Sequence, residues 1–134
     1  MLTVHELLHL VGEPEFRVLF KAATNFVGGM NRMDQACGCL TGGVLALGMK
    51  WGRSLDQLDL FAVYPNPKVQ ELVRWFLEQT NGKAGCTDIR GGVKLGDQEA
   101  IEKAREAGTL FDCVSLVGKT TRRVTELLME EWKK

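Results

Sequence analysis

At 134 residues the chain has the length of one compact domain, and its 45% hydrophobic and 25% charged residues are ordinary for a globule with a real core. Seventeen Lys+Arg balance seventeen Asp+Glu. That balance excludes a simple basic nucleic-acid binder and a polybasic membrane anchor, and the apolar content excludes disorder. The longest uncharged run, Gln35 to Met49, carries four glycines. As a helix it would cover roughly 22 Å against a hydrocarbon core of about 30 Å, so it reads as buried and not as membrane-inserted. The amino terminus lacks a basic start and an apolar segment of signal type, which predicts a cytoplasmic protein. Cys37, Cys39, Cys86 and Cys113 then point to metal binding, redox chemistry or inert burial before structural disulfides.

The spacing of apolar residues predicts an all-α bundle of five or six helices in a single domain over 1–134. Val4, Leu7, Leu8 and Val11 mark a first helix that ends near Gly12. Pro14 opens a second, with Phe16, Leu19, Phe20, Ala23 and Val27 on its apolar face and Gly28-Gly29 as its close. Asp34 is the N-cap expected for a third helix, which runs to about Lys50 and stops at Gly52. After a connection over 53–65, Asn66 caps and Pro67 starts a fourth helix, striped by Val69, Leu72, Val73, Phe76 and Leu77 and ended by Asn81-Gly82. Residues 82–96 hold five glycines and read as loop. A weaker helix spans about Asp97 to Ala107. A last one starts near Cys113 and runs to Trp132, with Val117, Val124, Leu128 and Trp132 on one face and Arg122–Glu126 and Glu130–Lys134 pairs on its wet side. No segment alternates with period two.

Two motifs suggest chemistry and lack its context. His5-Glu6-Leu7-Leu8-His9 has the HExxH form, in which two imidazoles one turn apart hold zinc and the glutamate activates water. No strand precedes it to align a substrate, and the same letters describe the solvated face of the first helix. Gly118-Lys119-Thr120 matches the end of a phosphate-binding loop, but Cys113 stands where the first glycine belongs and no strand leads in. Lys119 and Thr120 read as surface in the first turn of the last helix.

The cysteines carry more. With Asp34 as N-cap, Cys37 falls in the first turn of a helix, where amides and the positive dipole end lower a thiol pKa. Helical residues two apart point about 200° from each other, so Cys37 and Cys39 would face different ways. Gly38, Gly42 and Gly43 weaken that helix by roughly 1 kcal/mol each relative to Ala, a cost tolerated where something must approach closely. Cys86 lies in the glycine-rich loop and Cys113 at a helix start. The spacing is not that of a zinc ribbon. Cys39, ahead of an apolar stretch, is equally readable as a small core residue.

Phe26-Val27-Gly28-Gly29-Met30, Cys37-Gly38-Cys39-Leu40-Thr41-Gly42-Gly43 with the run to Gly48, and Trp51-Gly52 resemble the C_GCAxxG_C_C family of redox-active proteins. Cys86-Thr87-Asp88-Ile89-Arg90-Gly91 resembles its third cysteine segment and Cys113-Val114-Ser115-Leu116-Val117 its fourth, over about residues 20–130. The chain departs from the pattern twice: no cysteine precedes Cys37, and Cys39 replaces the family's alanine. The resemblance implies Cys37 as the reactive thiolate, with Cys86 and Cys113 as resolving thiols or co-ligands and Cys39 as the fourth sulfur. Related sequence in split-Soret-type cytochromes brings in an iron–sulfur cluster, and the four sulfurs could equally hold zinc. No C-x-x-C-H is present for covalent haem. A redox partner protein is implied, and a homo-oligomer is left open by the glycine-lined third helix. The competing reading is a helical binding or assembly module with inert cysteines.

Overall fold

The structure is a computed structural model that describes residues 1–57 and 65–130, with the side chain of Leu7 set aside. The expectation of an all-α fold holds. Seven helices, not five or six, stand among the described residues: α1 (Leu2–Leu8), α2 (Glu13–Ala23), α3 (Gly38–Trp51), α4 (Pro67–Gln79), α5 (Cys86–Ile89), α6 (Gln98–Glu106) and α7 (Cys113–Met129). The addition is α5, one turn inside the segment that its glycines had marked as loop. None of the helices is long and apolar enough to cross a membrane.

The bundle is built on α3, which packs against α4 and α7. Ala46 and Leu47 of α3, Leu72 of α4, and Val124, Leu127 and Leu128 of α7 are buried together, and Val4 of α1 closes the cluster. Burying such side chains stabilises the fold by about 1.5–3 kcal/mol each for the larger ones. Gly43 allows the close approach. A Cβ there would lie 2.9 Å from Leu72 Cδ2 and 3.2 Å from Val124 Cγ2.

Helix ends follow local chemistry. Asn66 Oδ1 accepts the Lys68 and Val69 amides at 2.9 and 3.3 Å, Asp97 Oδ1 that of Ala100, and Asp112 Oδ1 that of Ser115. Asn81 and Gly82 end α4 with positive φ, and the Gly82 N–H returns to the Leu77 carbonyl. Two surface expectations change. Glu126 pairs with Arg123, which also reaches Glu71, instead of Arg122. Of the second helix's apolar face only Phe16 is buried, because the helix stops at Ala23, a 3-10 turn follows, and Val27 is 62% exposed. Trp132, Lys134 and most of the 53–65 connection lie outside the described residues.

Candidate functional site

The segment before α3 decides the site. Gly28, Gly29, Met30, Asn31 and Arg32 all have positive φ, between 54° and 72°, and form a left-handed turn. It is closed by Arg32 N–H to Val27 O, Asp34 N–H to Gly28 O and Gln35 N–H to Gly29 O. For the three residues with a Cβ this backbone costs about 1–2 kcal/mol each, a strain that folds retain where the surroundings enforce it. A Cβ on Gly29 would lie 2.7 Å from both backbone N and O of Gln35 and 2.8 Å from Cys86 Cβ, so only glycine fits.

The turn delivers Gln35–Cys37 as an extended strand against Ala84–Cys86. Cys37 N–H donates to Ala84 O at 2.8 Å and Cys86 N–H to Gln35 O at 2.7 Å, across an antiparallel bridge of Ala36 with Gly85. This pairing brings two distant cysteines side by side and holds the short α5. It also moves the start of α3. Asp34 is not its N-cap: it sits in the left-handed region at φ 57°, 3.8 Å from Arg90 Nη1, and accepts the Leu95 amide. Cys37 is the N-cap itself, with φ −62° and ψ 129°, and its carbonyl accepts the Leu40 and Thr41 amides.

That one position corrects the expected divergence of the two thiols. Cys37 is not helical, so the 200° relation fails, and a hydrogen bond from the Cys39 thiol is the first cause of the shift at Cys37. This hydrogen bond, with help from the Cys39 and Leu40 amides and against the effect of burial, draws the Cys37 thiol down from an ordinary 9.0 to about 6. The same bond holds the proton on Cys39, whose thiol is pushed far up, with burial and the Cys37 charge adding to it. Cys37 is 8% exposed and packs with Phe76, Ile89 and Leu116. Burial is also the largest cause that raises Cys86 and Cys113, with the Cys37 charge adding and Arg90 opposing in both.

All four cysteines line one cavity of about 710 Å³, together with Arg32 and Arg90. All four are free thiols, Cys37 and Cys86 buried and Cys113 exposed. The sequence-predicted set therefore meets at one place. Among the described residues no three of His, Cys, Asp and Glu are grouped to hold a metal ion. Arg90, buried between α5 and the cavity, was not singled out by its sequence neighbourhood; Gly91-Gly92 after it signals a turn but not a buried guanidinium.

The other motifs resolve structurally. α1 ends at Leu8, and His9 lies past it in the left-handed region, its ring edge-on to that of His5 with centroids 6.1 Å apart. His5 is 4% exposed, stacked on Phe16 at 3.6 Å, rather than solvated. Its Nε2 lies 3.6 Å from Glu13. Gly118-Lys119-Thr120 is in the second turn of α7, not the first; Thr120 is buried toward Gly43 while Lys119 is exposed.

A family model described as "Putative redox-active protein (C_GCAxxG_C_C)" matches residues 2–127, a span that takes in α1 and α2 ahead of the cysteine segments. No curated protein and no solved structure matches the chain.

Proposed function

The chain belongs to the C_GCAxxG_C_C family, and from that premise and the cavity we propose that it is a dithiol redox protein in which Cys37 is the nucleophile and Cys39 the resolving thiol. What supports this reading is the meeting of all four cysteines at one cavity, with the Cys37 thiol drawn down to about 6 and the proton of Cys39 held in place.

The Cys37 thiolate attacks one sulfur of an incoming disulfide, forms a mixed disulfide and expels the other sulfur as a thiolate. Once the Cys37 sulfur is bonded, its charge is gone and so is the main hold on the Cys39 proton. Cys39 then releases that proton to solvent and attacks Cys37 Sγ. The second half of the substrate leaves as a thiolate, and the protein is left with a Cys37–Cys39 disulfide. Two electrons have passed from the protein dithiol to the substrate disulfide. Cys86, joined through the backbone bridge to the Cys37 segment, is the thiol we assign to exchange with the product disulfide next.

The test is mild oxidation of the reduced protein by an excess of a small organic disulfide, followed by peptide mapping. A Cys37–Cys39 linkage with two equivalents of small thiol released supports the proposal. Retention of four free thiols, or a first linkage that omits Cys37, overturns it.

A further inference from the structure

The cavity holds more than thiols. Its size lies in the range of small-molecule sites, roughly 300–1,000 Å³. Phe20, Phe26, Leu45, Leu116 and Val117 supply apolar wall. Among the described residues, the cationic side chains in the wall are Arg32 and Arg90; no carboxylate lines it, and its anionic side chain is the Cys37 thiolate. Arg32 Nη2 donates to the Leu95 carbonyl at 3.2 Å. Arg90 is different: it is only 5% exposed, and its Nη1 has no hydrogen-bond partner. The nearest carboxylate oxygen, Asp34 Oδ1, stands at 3.8 Å and already accepts the Leu95 amide. A buried guanidinium with an unmade hydrogen bond is costly, and native structures leave few of them. Arg90 lines the cavity, and its planar guanidinium is suited to the acid oxygens of a carboxylate or sulfonate entering there.

We infer that this cavity is a binding site for a small organic anion with an apolar body, its acid group received by Arg90 and its body by the apolar wall. The inference goes beyond the dithiol reading and does not depend on it, because ligand binding requires no turnover at Cys37.

The probes are anilinonaphthalene sulfonate, an apolar-bodied anion that fluoresces when shielded from water, and phenyl-naphthylamine, its uncharged counterpart. Each is titrated into the reduced protein and into Cys37→Ser. The sulfonate is expected to bind saturably at one site in both, so a failure of the redox proposal leaves this result standing. Arg90→Met should weaken the sulfonate by about tenfold or more and leave the neutral probe within about twofold, and Arg90→Lys should fall between. Circular dichroism checks the fold of each variant. Gly42→Leu keeps the test decisive if Arg90→Met does not fold. Gly42 lines the cavity and a Cβ there meets nothing within 4 Å, so the added side chain enters the open space and should abolish binding of both probes. Equal loss of both probes in Arg90→Met, sulfonate binding unaffected by Arg90→Lys, or sulfonate binding unchanged in Gly42→Leu would each overturn the inference.

Discussion

Cys37 and Cys113 both stand at the start of a long helix, and their thiols are shifted in opposite directions. The difference lies first in the neighbours: the Cys39 thiol lowers Cys37, whereas burial is the largest cause that raises Cys113, and the N-cap adds to it. At α3 the N-cap is Cys37 itself; its side chain caps no amide within hydrogen-bond distance, and its shift comes first from the Cys39 thiol, with the Cys39 and Leu40 amides adding to it. At α7 the N-cap is Asp112, whose carboxylate takes the Ser115 amide and places a negative charge beside Cys113. A helix start is a place where a thiolate can be stabilised only if no other anion has already taken the amides. Cys86 makes the same point more weakly: α5 has a single turn, Asp88 lies in it, and burial prevails.

The contrast breaks most completely with Cys37→Ser. Ultraviolet thiolate absorbance of the wild-type protein should show one step with a midpoint near pH 6, and the variant should lack that step entirely. Folding stability carries the same signature. Because the Cys37 pKa falls from 9.0 unfolded to about 6 folded, the unfolded chain binds more protons between those values. Stability from this group is therefore fully present above pH 9 and is lost as pH falls through 6. Denaturant midpoints measured across that window should rise with pH in the wild type, and the Cys37→Ser profile should lack this rise.

Gly29→Ala should be the next largest. The new methyl meets Gln35 backbone atoms and Cys86 Cβ below 3 Å at a φ of +72°, and neither obstacle is the end of a flexible side chain. A destabilisation of about 2–3 kcal/mol by denaturant unfolding is expected. A variant as stable as the wild type would show that the bridge between the two cysteine strands does not depend on the left-handed turn. Cys39→Ala acts on one bond only. It should raise the Cys37 midpoint by at least about one pH unit, the differential interaction of a hydrogen bond to a charged group, while leaving the α3 amides in place. An unmoved midpoint would assign the thiolate to the amides alone.

Much of this was legible. Asn66-Pro67, Asn81-Gly82 and the stripe through Leu72 and Phe76 define α4 because capping and periodicity are local. The family resemblance pointed to four sulfurs, and the structure gathers all four around one cavity. What sequence spacing could not carry is tertiary. Asp34 is a better N-cap residue than Cys37, yet the left-handed turn and the bridge to Ala84–Cys86 hold the chain extended through Cys37, and the helix starts three residues later than the best local cap would place it. That delay is why Cys37 and Cys39 meet when helical geometry would part them. Glycine density hid α5 for the same reason, since its single turn is held by the bridge and not by propensity. Gly28-Gly29 was the visible signal of the turn, read as a helix stop.

Asp112→Asn probes the other half of the comparison with the smallest expected effect. Asparagine caps helices about as well as aspartate, so the Ser115 amide keeps its acceptor and α7 keeps its start. What leaves is the charge. Desolvation is the largest cause of the raised Cys113 pKa and survives the change, as do the Arg90 and Cys37 charges. The Cys113 midpoint should therefore drop by only a few tenths of a pH unit, roughly the 0.3–1 kcal/mol of a surface charge at a helix end. The drop is readable as the pH dependence of alkylation at the exposed Cys113, resolved by peptide mass. A fall to the range of Cys37 would mean that the cap charge alone separates the two cysteines and that the Cys39 hydrogen bond is dispensable. A change of a few tenths leaves the thiol donor as what distinguishes Cys37, because both cysteines would then have an uncharged cap and only one of them a neighbouring S–H.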